Sequence, residues 1–418
     1  VTSTSISFAN GDAGNAGFIE LEASNGDIAV NGGGLNSQSV AAEGNSGNAG
    51  QIEITANGDI GVQGEISADT AANLDAGDGG DITLDTFSGD ISVSENIDTG
   101  STSISGENPG QGSSDNAGQV ELNAPSGEIA VGNIRTESGT NSGIGGDGGN
   151  IELSALNDIT AGTLNSRSFN SQEGNGGSIT ATSESGTITT GSILSSGSQI
   201  FGSVNSSGAR GNIKLDSFQD LVLLSPFIDS AGSGHDGNIN LISRTGDIAL
   251  EGGFINSNGF NEADGGDIRI EGLNVSLDDV ELTATSSGIG SGGSITISTP
   301  GSSTLNNSRL STSLEPGAVG AGGAVVVDAN SVSLTDSTLD TATFGQGDAG
   351  NVDIIADDSI NLVRSAIFSI TDGQSDAGLV SLDAGRQIRL TDNSSISTAV
   401  NRDVSDAFNI EPIGNGSD

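Results

Sequence analysis

Residues 14–21 read Gly-Asn-Ala-Gly-Phe-Ile-Glu-Leu, and residues 47–54 repeat the pattern as Gly-Asn-Ala-Gly-Gln-Ile-Glu-Ile. In both copies a small, Gly-rich turn precedes an apolar-x-apolar triplet. Further copies begin along the rest of the chain, at residues 77, 115, 146, 174, 208, 235, 263, 290, 320, 347 and 375. Thirteen copies at a mean spacing of about 30 residues make an internal repeat the main organising feature of the sequence.

Two more short apolar segments follow the triplet inside each period. The second reads Asp-Ile-Ala-Val at 27–30 and Asp-Ile-Gly-Val at 59–62. The third is apolar-x-Ser/Thr, as in Ile-Asp-Thr at 97–99 and Leu-Asp-Thr at 339–341. Each segment alternates with a period of two, is rich in β-branched residues and is bounded by Gly, Asn, Asp or Ser, which is typical of a strand.

Three short strands in each period predict an all-β fold, a parallel β-helix of about 13 coils of about 30 residues. An antiparallel sandwich or a string of small β domains would not need a fixed period. We predict one continuous β-helix over residues 1–400, and a C-terminal extension or the start of a further coil at 401–418. Stacking should place the apolar residues of the first strand in two inward columns, Ile19, Ile52, Ile82, Val120, Ile151 and Leu21, Ile54, Leu84, Leu122, Leu153. The third strand should turn Ser and Thr hydroxyls inward, where they bond to backbone at the corners.

Composition and charge exclude several classes of function. The chain has 418 residues, 55 acidic against 11 basic side chains and a net charge of −44, with no cysteine and one histidine. Disulfide frameworks, thiol nucleophiles and iron–sulfur clusters are therefore excluded. So acidic a chain should repel nucleic acid and anionic membrane surfaces. No apolar run is long enough to span a bilayer, so we expect no membrane insertion.

The repeat resembles the β-helix of filamentous-haemagglutinin-like exoproteins, the secreted partners of two-partner secretion systems. The stretch from Gly345 to Thr398 is most similar to the cyanobacterial branch, in which G-x-G-x-A-G-N-[IV] alternates with I-x-L-[ST]. The resemblance covers residues 5–400 and implies a right-handed parallel β-helix, export through an outer-membrane pore and a secreted, extracellular or cell-surface location. The family's N-terminal secretion motif is absent from this sequence. Together with repeats that run to both ends, this predicts either a truncated longer rod or head-to-tail polymerisation through open β-edges.

One charged column could bind a cation. Acidic side chains occupy the same position, at the start of the second strand, in five successive coils: Asp27, Asp59, Asp90, Glu128 and Asp158. Stacked carboxylates repel one another, and calcium prefers oxygen ligands of this kind. The alternative is structural, because a short acid after Gly accepts backbone N–H bonds at a corner. We predict no required cofactor and regard Ca²⁺ as the candidate ligand of this column.

The remaining candidate sites have simpler interpretations. Glu20 with Glu53, and Glu121 with Glu152, could form the paired carboxylates of a glycosidase, but a solvated sheet face is the better explanation, because no aromatic side chains accompany them. Residues 76–84 partly match the nonapeptide calcium roll, although that roll needs a period of nine. His235 lies in a Gly-rich turn. Long Ser/Gly-rich insertions at 98–117, 135–146 and 194–208 gather at one corner, where solenoids often bind partners.

These observations predict a structural, non-enzymatic rod that stacks end to end into an extracellular fibre, sheath or filament. Its partner would be a second copy of itself. The first alternative is an adhesin stalk that presents its corner loops to a partner surface or a polysaccharide. The second alternative is a β-helical enzyme acting on polysaccharides, with its site among the paired glutamates.

Overall fold

The computed structural model describes residues 2–7, 11–103, 112–140, 144–169, 174–197, 208–224, 226–234, 237–372 and 375–401. Every strand pair in these ranges is parallel, and no helix occurs in them. The strands stack as a β-solenoid of about 12 turns with roughly 29 residues per turn. This confirms the predicted parallel β-helix.

The first sheet begins each turn, and its strands follow the Gly-rich motif. Its register joins Ile19 to Ile52 and Ile52 to Ile82, so equivalent repeat positions are direct neighbours. Isoleucine and valine at alternate positions suit a pleated, half-buried surface. The strands confined to this sheet are Ile19–Ala23, Ile52–Ala56, Ile82–Thr86, Val120–Ala124, Ile151–Ala155, Ile179–Ser183, Ile213–Ser217, Ile239–Ser243, Ile268–Glu271 and Val380–Ala384.

The second and third sheets complete the predicted set of three. Strands confined to the second sheet are Ile28–Val30, Ile60–Val62, Ile91–Val93, Ile129–Val131, Ile159–Thr160, Ile188–Thr190, Leu221–Leu223 and Gln387–Thr391. Strands confined to the third sheet or extending beyond it are Leu35–Asn36, Ile66–Ser67, Ile97–Asp98, Ile134–Arg135, Leu164–Asn165, Ile193–Leu194, Phe227–Asp229, Arg309–Ser311, Thr338–Asp340, Ala366–Asp372 and Ser395–Asn401.

A fourth sheet, which the sequence analysis does not predict, flanks the N-terminal turns. Its six strands are Ser5–Ser7, Ser39–Ala41, Thr70–Ala72, Ser101–Ser103, Ser138–Thr140 and Ser168–Phe169. They have two or three residues each and consist largely of Ser, Thr, Ala and Gly. So short a segment has no apolar alternation from which a strand could be recognised.

Neighbouring strands merge in the C-terminal turns. Ile248–Asn256 and Val275–Thr283 run from the second sheet into the third, and Ile295–Asn306, Val325–Thr335 and Val352–Val363 run from the first into the second. Single residues with positive φ make the corner after the second sheet, among them Asn307 (φ 45°) and Asp336 (φ 51°). Asn and Asp tolerate this conformation better than other non-glycine residues, so the corner needs no loop.

The core is a continuous apolar column inside the coil. Side chains from the first, second and third sheets form one cluster from Ile19 to Ile367. The predicted column of Ile19, Ile52, Ile82, Val120 and Ile151 is buried throughout, and in the second predicted column only Leu21, in the first turn, is partly exposed. The inward hydroxyls of the third sheet are also confirmed, since Thr99, Thr136, Ser166, Ser257 and Thr341 are fully buried.

Candidate functional site

The acidic column at the start of the second strand forms a hydrogen-bonded ladder between turns. Asp27 Oδ1 accepts the backbone N–H of Asp59 at 3.0 Å, and Asp59 Oδ1 accepts that of Asp90 at 2.9 Å. Asp90 Oδ1 in turn accepts the N–H of Glu128 at 2.9 Å. These three aspartates thus bond to the next turn rather than to their own corner. Of the interpretations considered, an acid accepting backbone N–H bonds has direct geometric support.

The same column remains the predicted position of a cation. Asp27, Asp59, Asp90, Glu128 and Asp158 are exposed and in register with one another along the rod. Within the described ranges, no group of three or more acidic, histidine or cysteine side chains lies close enough together to hold a metal ion. Calcium binding by this column therefore stays a prediction.

Two further ladders of hydrogen bonds explain the polar residues of the Gly-rich motif. Asn48 Oδ1 accepts the N–H of Asp78 at 3.2 Å, and Asn116 Oδ1 accepts that of Asp147 at 2.9 Å. One position before the first strand, Asp81 Oδ1 accepts the N–H of Gln119 at 2.8 Å. The recurring Asn and Asp are visible in the sequence, but their bonds to the next turn are not. The signal was their fixed distance from the following Ile.

The last glycine of the motif allows the turns to approach closely. A Cβ added to Gly149 would lie 1.9 Å from the carbonyl oxygen of Gly118, one turn away. Third-sheet hydroxyls seal the same corner, because Thr99 Oγ1 donates to Gly118 O at 2.6 Å and Thr136 Oγ1 to Gly149 O at 2.6 Å. Glycine next to an inward hydroxyl is therefore a steric and hydrogen-bonding requirement of each turn.

The outer face of the third sheet carries a chain of ion pairs across adjacent turns. Arg135 lies 2.7 Å from Asp98 and 3.0 Å from Glu137, and Arg167 lies 3.2 Å from Glu137. The guanidinium of Arg167 also stacks 5.7 Å from the ring centroid of Phe169. Burial raises the pKa of Asp98 despite the neighbouring Arg135 charge. These ion pairs link the side chains of three successive turns between the third and fourth sheets.

Asp229 occupies the same outward row two turns beyond Asn165. Desolvation raises the pKa of its carboxyl to about 6, although the N–H of Ala231 and the charge of Arg167 act in the opposite direction. The N–H of Ala231 donates to Asp229 Oδ1 at 3.2 Å. Asp229 is therefore a carboxyl whose protonation changes in mildly acidic solution.

Arg210 is a buried cation that the sequence analysis did not single out. Its guanidinium donates to the carbonyl oxygens of Gly234, Ser257, Asn258 and Asp264 at distances of 2.6–3.1 Å. It stands in Gly-Ala-Arg-Gly at 208–211, at a position where eleven of the other twelve copies of the motif have Ala or Gly. The presence of a basic residue where most repeats have a small one is the feature of the sequence that could have drawn attention to Arg210. The side chain thereby ties its own turn to the backbone of the turns that follow it.

A cleft of about 530 Å³ opens at the corner between the second and third sheets near the N-terminal end. Gly33, Gln63, Glu65 and Glu95 are among its lining residues. The pKa of Glu65 is raised by desolvation and by the nearby carboxylates of Asp98, Asp69 and Glu95. The cleft is polar and negatively charged, which would favour a cationic occupant over an anionic one.

The other predicted site residues are exposed on the rod surface or lie outside the described ranges. Glu20 pairs in register with Glu53, and Glu121 with Glu152, on the solvent face of the first sheet. Residues 76–84 form one bridge, the turn and the strand Ile82–Thr86, with one such unit per coil. His235 lies outside the described residues, as do parts of the three corner insertions.

Both ends of the described coil expose their apolar columns. At the N-terminal end, Leu21, Ile28 and Val30 are only partly buried. At the C-terminal end Ile388, Leu390 and Ile396 are exposed, whereas equivalent residues such as Ile60 and Ile360 are fully buried inside the rod. The first strand, Ile19–Ala23, has one described pairing partner, Ile52–Ala56. The apolar side chains at both ends of the described coil are therefore less buried than their equivalents inside it.

No protein-family model, curated protein or solved structure matches this chain. Among the described residues there is also no helix of the length and hydropathy needed to cross a bilayer.

Proposed function

We propose that this chain is a structural, non-enzymatic extracellular rod that stacks end to end into a surface fibre, sheath or filament. The observation that carries the proposal is the regular stacking of about twelve parallel turns around one continuous apolar column, a rod whose strands and core are built to be continued by further turns. Open parallel edges pair with further strands, and a contact between unlike ends does not close on itself. A second copy would continue the columns and the ladders.

The charge of the surface supports growth along the axis. A net charge of −44 makes side-by-side contact between rods unfavourable. At the ends, by contrast, each added copy buries apolar side chains and satisfies strand edges. Repulsion between flanks and attraction between ends favour filaments over irregular aggregates.

The resemblance to filamentous-haemagglutinin-like exoproteins supports the extracellular part of the proposal. A chain without cysteine suits export in an unfolded form, which is how that family is secreted. A structural role is supported by the position of the paired glutamates, which face solvent on a sheet without aromatic side chains among them.

Negative-stain electron microscopy, combined with sedimentation velocity over a range of concentrations, tests the proposal. Uniform fibres that lengthen with concentration are the expected result. Isolated rods of on the order of 60 Å at every concentration would overturn it, since twelve turns at about 4.8 Å give that length. Repeating the experiment with calcium and with a chelator asks whether the Asp27–Asp158 column is a cation site.

An adhesin stalk is a second candidate, favoured by an exposed apolar ridge at the corner after the first sheet. Phe87, Pro125 and Leu156 follow the first strand in successive turns, and Phe87 is 69% exposed. Exposed apolar patches often mark binding surfaces. Binding to insoluble cellulose or chitin that is lost in Phe87→Ser, with fibre formation unchanged, would support this function.

A further inference from the structure

The corner after the first sheet contains a hollow on the flank of the rod. The strand register aligns the residues that follow the first strand of successive turns as Ser24, Asn57, Phe87, Pro125, Leu156, Glu184, Phe218 and Arg244. Phe87 is 69% exposed, more than any other large apolar side chain among the described residues. Its ring and the shorter side chains of the two preceding turns line a cavity of about 300 Å³.

The hollow combines this aromatic ring with oxygen-bearing side chains. Glu22 and Thr55, which are register neighbours on the outer face of the first sheet, line it together with Ser24 and Asn57. Ser24 Oγ donates to Glu22 Oε1 at 3.2 Å. Within the described ranges, the side chains of Thr55 and Asn57 make no hydrogen bond to the rest of the chain. Their hydroxyl and amide groups are therefore available to a ligand.

The backbone that carries these side chains is held by the turns on both sides. The N–H of Phe87 donates to the carbonyl oxygen of Ala56 at 3.1 Å, and the carbonyl oxygen of Phe87 accepts the hydroxyl of Ser126 at 3.2 Å. Ser88 Oγ donates to the carbonyl oxygen of Asn57 at 2.6 Å. A site whose backbone is fixed before binding loses less conformational entropy when a ligand arrives.

An apolar ridge continues from the hollow along the axis of the rod, with one residue per turn at a spacing of about 4.8 Å. Its residues are Phe87, Pro125 and Leu156. The ridge ends at Glu184, whose Oε2 lies 3.1 Å from Nη1 of Arg244, two turns further on. Phe218 lies in the turn between these two residues, so the ion pair spans the row at its position. The hollow and the ridge thus form one straight, bounded track over five turns.

We propose that the hollow and the ridge bind a neutral, extended, β-linked glycan that lies along the rod, with one sugar ring packed against Phe87. The inference rests on the adhesin-stalk candidate and names its site and its class of ligand. The C–H face of a pyranose packs on an aromatic ring, while its hydroxyls donate to the oxygens of Glu22 and Asn57. A straight ridge fits a straight glycan, because a coiled one leaves it after a few sugars.

The charge of the chain restricts the ligand further. A net charge of −44 disfavours glycans that carry carboxylate or sulfate groups. An organic cation is the competing kind of ligand, since Glu22 is an acid and an aromatic ring attracts cations. The hollow has one aromatic wall and three side chains that can exchange hydrogen bonds with hydroxyls, Ser24, Thr55 and Asn57. This composition favours the sugar over the cation.

Isothermal titration calorimetry of the full chain with soluble pentasaccharides tests the ligand class. We expect cellopentaose or chitopentaose to bind, and the tighter of the two identifies the substituent that the site accepts. Maltopentaose has the same length but a curved chain, and should bind about tenfold more weakly. Equal or tighter binding of maltopentaose would overturn the extended geometry. Binding of choline chloride without binding of either β-linked pentasaccharide would overturn the ligand class.

Matched variants locate the site on the rod. Phe87→Ser should weaken binding of the pentasaccharide about tenfold, and Asn57→Ala should weaken it several-fold. Phe218→Ser removes a phenylalanine from the same row, beyond the end of the track, and should leave the affinity unchanged. Circular dichroism melting curves of all three variants establish that each is folded. Equal affinity of wild type and Phe87→Ser would refute this site.

The outcomes separate this inference from the functions on which it depends. Pentasaccharide binding that survives Phe87→Ser would overturn the Phe87 site and leave the adhesin stalk standing. Failure of every glycan to bind would overturn the site together with a polysaccharide-binding stalk. Electron microscopy of the same samples tests the fibre independently, because Phe87→Ser changes the flank and should leave fibre formation intact.

Discussion

The hydroxyl of Thr136 donates a 2.6 Å hydrogen bond to the carbonyl oxygen of Gly149, and the N–H of Gly149 donates back to the carbonyl oxygen of Thr136 at 2.8 Å. The corner between the third sheet and the next first strand is thereby closed twice. We expect Thr136→Val to destabilise the rod by about 1 kcal/mol, the usual cost of losing one buried hydrogen bond. Urea unfolding of this variant and of Thr160→Val, at an exposed second-sheet position, measures it. Equal stability of both variants would contradict the assignment.

Substitution of Gly149, the last glycine of the motif, should destabilise the rod more than substitution of Thr136. Gly149→Ala places a Cβ 1.9 Å from the oxygen of Gly118, so the two turns must separate. We expect a loss of about 3 kcal/mol or more in the free energy of unfolding. Gly33→Ala is the control, since a Cβ there meets nothing within 4 Å. A similar small effect in both variants would show that the turns can move apart cheaply.

Among the described basic side chains, we expect Arg210 to contribute the most to the stability of the fold. Arg210→Met removes a guanidinium that satisfies four backbone carbonyl oxygens, and we expect a loss of about 3 kcal/mol. Arg269, which is half-exposed and paired with Glu271, provides the matched substitution Arg269→Met, with an expected change below about 0.5 kcal/mol. Thermal unfolding followed by circular dichroism compares the two, and equal melting temperatures would refute the bracing role.

Asp229 makes stability depend on pH in mildly acidic solution. Its pKa is raised from 3.8 to about 6 in the folded chain, so the folded state binds more protons than the unfolded state between these values. Stability contributed by this group is therefore present at low pH and lost as pH rises through about 6. Asp229→Asn should be more stable than wild type at pH 7, by at most about 3 kcal/mol, and the difference should vanish near pH 4. Urea titrations at several pH values measure this, and a constant difference would contradict it.

Two substitutions of Asp59 distinguish the contribution of hydrogen bonding to stability from that of charge in the acidic ladder. Asp59→Asn keeps the oxygen that accepts the N–H of Asp90 and weakens repulsion along the column, so its stability should equal or exceed that of wild type. Asp59→Ala loses the acceptor and should cost about 1 kcal/mol. Melting temperatures with calcium and with a chelator complete the test. A calcium-dependent rise in wild type that disappears in Asp59→Asn would establish the predicted cation site.

Most of the fold follows from the spacing of a few residue types. Ile19, Ile52 and Ile82 recur about once every 30 residues, each at the same position of its strand. A repeat of about 30 residues is too short to form a domain of its own, so stacking of successive repeats is the natural fold. The inward hydroxyls of Thr99 and Thr136 were also predictable, because they alternate with Ile. The fourth sheet was not, since Ser39–Ala41 and its equivalents have no apolar alternation and are held in place by the strands before them.

The residues of the candidate sites were harder to predict than the core. Asp27 and Asp59 stood out as a column, but sequence alone could not tell a bond within one corner from a bond to the next turn. Arg210 carried a signal that only the packing of three turns explains.

The ladders of Asn and Asp side chains also determine how the rod would respond to tension. Every turn is bonded to its neighbours by short strands and by side-chain oxygens at the corners, and these bonds lie nearly along the axis. A pull on the ends of the chain would load one turn at a time and peel it away. Each turn that detaches would lengthen the molecule by about 100 Å, the extended length of roughly 29 residues. Such a rod would unfold turn by turn and dissipate mechanical energy at each step, whereas a single cooperative domain would unfold in one event.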